Sequence, residues 1–105
     1  MTSISFIYDN RLGISVPHLG VSWNDLSPKI QAVIVERWER IRGHIPDRIY
    51  EVEEEINRLQ QALYEEEDFE QSCIINSQIS ELASIINELW IWYRTVEDVN
   101  NKVHA

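Results

Sequence analysis

The aliphatic residues of the second half of the chain fall into two runs of alternating four- and three-residue steps, and this spacing sets most of what the chain can become. Ile45, Ile49, Val52, Ile56, Leu59 and Leu63 make the first run; Ile75, Ile79, Leu82, Ile86, Leu89, Tyr93 and Val96 make the second. Steps of four and three keep side chains on one side of a helix, so each run is an apolar seam of the coiled-coil kind. Only the acidic stretch Glu65-Glu66-Glu67-Asp68 separates them. A connection that short folds the second helix back along the first, seam against seam.

Local signals place the ends. Pro46 suits an early helical position, which starts one helix at 46 and ends it at 65. Asp68 and Gln71 have capping-box spacing, so the next helix runs over 69–97. At 1.5 Å per residue the two are about 30 and about 43 Å long, and the longer one overhangs by about 13 Å. The overhang carries Leu89, Trp90, Trp92 and Tyr93. Trp90 and Trp92 are about 200° apart on a helix, so one joins the core and the other is exposed or covered by another surface.

A pair of helices of this length orders too many residues for one seam to stabilise, so a third element is needed. Residues 28–42 supply it. Ser27 caps, Pro28 takes the first helical position, Ile30, Val33, Ile34, Trp38 and Ile41 share a face, and Gly43 supplies the stop. Glu36 and Arg40 stand four apart in the favourable order. Ahead of this, residues 3–16 form a β-hairpin: Ser3 to Tyr8 alternates, Asp9-Asn10 opens a turn, Gly13 permits a positive φ, and Leu12 to Val16 returns. Pro17 to Gly20 reads as loop. The expected fold is mainly α, one domain over 1–105, with an N-terminal β-hairpin followed by a three-helix arrangement that contains a long antiparallel helical hairpin. Either the β-hairpin or a second copy of the chain covers the aromatic overhang.

Composition excludes several classes of function. The 105 residues carry 9 basic and 18 acidic side chains, a net charge of -9. Residues 1–48 hold six basic and five acidic groups, whereas 49–105 hold three and thirteen, a balance of -10. That half repels phosphates and anionic lipid, so no direct nucleic-acid or membrane binding is expected of it, while a basic protein surface suits it. No apolar run reaches the length of a membrane span, and the N-terminus has no signal-peptide pattern. The single Cys73 makes no internal disulfide, which points to a reducing compartment and a cytoplasmic setting.

Chemistry-bearing patterns are sparse. His18, His44 and His104 are scattered, with no zinc-type spacing. Cys73 reads as a half-buried helix residue and not a nucleophile. Arg37, Arg40, Arg42 and Arg48, interleaved with Glu36, Glu39 and Asp47, point to ion pairs within the chain or between copies more than to phosphate binding. Glu66-Glu67-x-x-Glu70 resembles half of the carboxylate signature of all-helical nucleotide pyrophosphohydrolases. The matching Glu and Asp on the next helix are missing, because Glu81 is followed by Ser84 and Glu88 by Ile91. A magnesium site needs several converging oxygens. No metal, no cofactor and no catalytic group is expected, and the chain reads as a non-enzyme.

Ile56-x-x-Leu59-x-x-x-Leu63, then Glu67-Asp68-Phe69-Glu70, then Ile75 and Ile79-x-x-Leu82, resembles the UVR motif, the interaction hairpin of excision-repair subunits, stress regulators and protease adaptors. The Asp-Phe-Glu core matches at Asp68, Phe69 and Glu70. The motif's pair of Ala falls on Ser72 and Cys73, and its Leu-Arg-Asp on Ile75, Asn76 and Ser77. Over residues 56–82 the resemblance implies a helical hairpin that docks proteins. Both readings converge on an interaction or regulatory module. Its expected partner-binding residues are Glu65, Glu66, Glu67, Asp68, Phe69 and Glu70 at the tip, facing a basic partner, and Trp90, Trp92 and Tyr93 at the aromatic end, where a homodimer seam is expected. The alternative is an acidic inhibitor, such as an antitoxin, an immunity protein or a nucleic-acid mimic.

Overall fold

The computed structural model describes residues 4–104, with side chains for 6–18 and 20–94. Ser3 of the expected hairpin and the Val96 side chain lie outside the described residues. The elements are β1 (Ile4–Asp9), β2 (Ile14–Leu19), a short 3-10 turn (Trp23–Asp25), α1 (Pro28–Arg42), α2 (Ile45–Glu65) and α3 (Phe69–His104). The fold is mainly α, 74% helical, with an N-terminal antiparallel two-stranded hairpin, as the sequence pattern predicts.

The hairpin turns where expected. The Asp9 carboxylate accepts from the Leu12 N–H at 2.9 Å, the Asp9 carbonyl accepts from the Gly13 N–H at 2.7 Å, and Gly13 has φ 76°. The second strand is longer than Pro17 suggested: it continues to Leu19, with Pro17 opposite Phe6. In a two-stranded ribbon each strand has a free edge, so a proline whose nitrogen faces outward costs no ladder bond. The turn at Trp23–Asp25 went unpredicted; its Trp23 carbonyl accepts from the Gln31 side chain at 2.9 Å.

In α1 the Ser27 hydroxyl accepts from the Ile30 N–H at 3.3 Å, and Pro28 follows it. Val33 departs from the expected face and is 60% exposed, while Ile34 and Trp38 are buried. Gly43 ends α1 in right-handed geometry, φ -62°, so the stop there is not a left-handed cap. Only Gly43 and His44 separate α1 from α2.

α2 and α3 pack antiparallel along their seams. Ile45, Ile49 and Val52 on α2, and Ile85 and Leu89 on α3, are buried in one cluster with Leu12, Ile14 and Trp38. Farther out, Ile56, Leu59, Leu63, Ile79 and Leu82 are half-buried, while Ile75 near the tip is buried. Ile85 is deeper than the expected Ile86, and Trp92 packs against the cluster beside Tyr93. A third layer widens the apolar face beyond the two positions per heptad that a two-helix seam uses. α3 continues to His104 and not to 97, since no Gly or Pro interrupts the chain between Phe69 and His104. The aromatic overhang is met by both α1 and the β-hairpin: Leu89 shares the buried cluster with Leu12 and Ile14, the Trp38 and Trp92 rings lie edge to face at 5.5 Å, and Arg42 donates to the Tyr93 carbonyl at 2.9 Å.

The molecule measures 59 × 22 × 19 Å with a radius of gyration of 18.1 Å. A compact chain of this length has a radius near 13 Å. The β-hairpin and α1 thicken one end, and the distal half of the α2–α3 hairpin projects from it as two helices.

Candidate interaction surface

The tip of the projection is built by two caps. The Asp68 carboxylate accepts from the Gln71 N–H at 3.2 Å, which starts α3, and the Glu66 carboxylate accepts from the Asp68 N–H at 3.1 Å, which shapes the turn. Gln61 donates to Glu65 at 2.9 Å. Glu67 and Glu70 have no partner among the described residues. Two rings stand among these carboxylates: Tyr64 is 88% exposed and Phe69 80% exposed. Residues 59–93 hold seven Asp and Glu side chains and no Lys, Arg or His. The expected tip residues Glu65, Glu66, Glu67, Asp68, Phe69 and Glu70 thus stand together at one end.

The aromatic residues lie at the opposite end of the hairpin. Trp92 packs on Trp38, and Tyr93 sits beneath the Arg42 guanidinium at 4.4 Å. Trp90 stacks edge to face with Tyr93 at 5.5 Å and remains 39% exposed. Trp92 and Tyr93 are therefore engaged within the chain, and the tip and the aromatic end form two separate surfaces.

The arginines near α1 work internally. Arg40 pairs with Glu36 at 2.6 Å and Arg42 with Glu39 at 3.5 Å. Arg37 lies over the Phe6 ring at 4.4 Å. Arg48 donates to the Leu12 carbonyl at 2.9 Å and pairs with Glu51 at 3.2 Å, whereas Asp47 pairs with none of them. Cys73 is exposed and not half-buried, because it lies off the seam set by Ile75.

Sequence reasoning missed the flank between base and tip. Arg11, in the β-turn, pairs with Glu81 at 2.5 Å and with Glu88, and donates to the Ser84 hydroxyl at 3.2 Å. The hydrogen bonds that Arg11 donates to the Glu81 and Glu88 carboxylates hold its pKa above the ordinary value. Beyond this clamp, along the same flank, runs an open groove lined by Glu55, Leu59, Ile74, Gln78, Glu81 and Leu82. Its available signals were Ile74, a second isoleucine beside the seam residue Ile75, and the seven-residue spacing of Glu81 and Glu88.

Among the described residues no group of three His, Cys, Asp or Glu converges as a metal site, and no helix is long and apolar enough to cross a membrane. No family model matches the chain, and no curated protein or solved structure matches it.

Proposed function

We propose that this chain is a non-enzymatic docking or regulatory module whose distal helical hairpin presents an acidic tip to a basic surface of a protein partner. The observation that carries this reading is the exposure of Tyr64 and Phe69 among five carboxylates at the end of a projecting hairpin that has no cation between residues 59 and 93. Exposed rings set in uncompensated charge do nothing for the fold, whereas rings are common anchors at interfaces and the charge would steer a basic partner. The UVR-like pattern over 56–82 agrees with that use. A homodimer through the aromatic end would rest on Trp90, since Trp92 and Tyr93 are engaged within the chain.

The test combines capture from the native cell with the wild type, a Glu65→Gln, Glu67→Gln, Glu70→Gln variant, and Phe69→Ala. Glu66 and Asp68 are spared because they cap. The expected result is a protein retained by the wild type and lost by both variants at equal helicity. Capture unaffected by either change contradicts the proposal. Salt separates the acidic-inhibitor alternative, in which carboxylates stand in for phosphates. Such a complex dissociates steeply by about 0.3 M salt, while one anchored on rings persists.

A further inference from the structure

We infer that the groove between α2 and α3 is the seat of an amphipathic, Lys- or Arg-bearing helix of a partner protein, laid along the flank just beyond Arg11. The inference rests on the docking reading and specifies where and what the hairpin binds. The β-turn already occupies the proximal part of this flank and shows the chemistry it accepts. Leu12 is buried in the core cluster, Arg11 beside it spans Glu81, Ser84 and Glu88 of α3, and the Leu12 carbonyl is held by Arg48 of α2. The turn thus sets one aliphatic side chain inward and one cation across carboxylates.

Distal to the turn the same two helices continue without this cover. Leu59 and Leu82 remain half-buried and Ile74 is 50% exposed, giving the groove an apolar floor. Glu55 and Glu81 rim its near end, each already paired within the chain, Glu55 with Arg58 and Glu81 with Arg11. On α3, Glu70, Ile74, Gln78 and Glu81 follow one another by three or four residues, so the stripe leads to a carboxylate at the tip. The distance from Glu81 to Glu70 is about 16 Å, or three turns of a seated helix. Aliphatic anchors at helical spacing suit the floor, and a cation at the tip end suits Glu70, which has no partner among the described residues. A second copy of this chain fits less well, because its own stretch 59–93 has no Lys or Arg to offer Glu70.

The probe is a fluorescent Leu/Lys peptide of about 18 residues, long enough to hold a helix, with Leu at i, i+3, i+4 and i+7 positions. Its control has the same composition with the leucines scattered. Anisotropy titration of the full chain should show the patterned peptide binding at least tenfold more tightly than the control, and Ile74→Ser should erase that advantage with unchanged circular dichroism. Equal binding of both peptides, reduced alike by Glu65→Gln with Glu67→Gln, overturns the groove and leaves the acidic tip as the docking element. Binding of neither peptide overturns both readings. A dimer by sedimentation that Ile74→Ser dissociates also overturns the inference, since the occupant is then a second copy.

Discussion

Gly13 shows how one position ties the β-turn to the helices. Its φ of 76° disfavours any side chain, and a Cβ there would lie 2.4 Å from the Arg48 Nε that holds the Leu12 carbonyl. Gly13→Ala therefore strains the turn and displaces the arginine, for an expected loss of about 1–3 kcal/mol in urea unfolding. Gly43 is the contrast: its φ is right-handed and a Cβ would meet only ordinary contacts at 3.5 Å. Gly43→Ala should leave stability unchanged or raise it by about 0.5–1 kcal/mol. If both variants unfold alike, the coupling of turn to α2 is wrong. The Arg11 clamp belongs to the same scale. With its pKa raised, the guanidinium contributes below the ordinary arginine value and would be lost only above it, so no alkaline transition below about pH 11 should trace to Arg11.

Among the elements, α2 carries a gradient of burial from base to tip, while α3 keeps one buried seam residue, Ile75, near the tip. Leu89 is fully buried, so Leu89→Ala should cost about 3–5 kcal/mol by chemical denaturation. Leu63 is half-buried near the tip, and Leu63→Ala should cost about 1 kcal/mol. Equal costs would mean that the seam is covered along its whole length. Asp68→Ala removes the α3 cap and should cost about 1 kcal/mol by the same measurement. The gradient marks how far the sequence could be read. The seam from Ile45 to Leu63, the Asp68 cap and the Gly13 turn each follow from local rules, and all three stand in the structure. The extra depth of Ile85, the outward Val33 and the inward Trp92 depend on where the third layer arrives, which no local pattern carries. Pro17 misled because its effect depends on which edge of the ribbon it faces. The groove was illegible for the same reason: it exists where the third layer stops, between residues far apart in the chain.

The whole molecule divides its work along its long axis. One end gathers the β-hairpin, α1 and the bases of α2 and α3 around a core that includes Trp38 and Leu89. The other end extends two helices, half-buried in their seam except at Ile75, to a tip whose charged groups are all acidic. The proposed docking role requires that the distal half change contacts without disturbing the core, and this separation is compatible with it. Amide hydrogen exchange on the full chain, with and without the Leu/Lys peptide, tests that division directly. The slowest amides should lie in 49–56 and 82–92, with exchange quickening toward 63–75, and the peptide should add protection within 59–82 alone. Uniform protection along the free hairpin, or protection by the peptide at the base in place of the distal half, would contradict it.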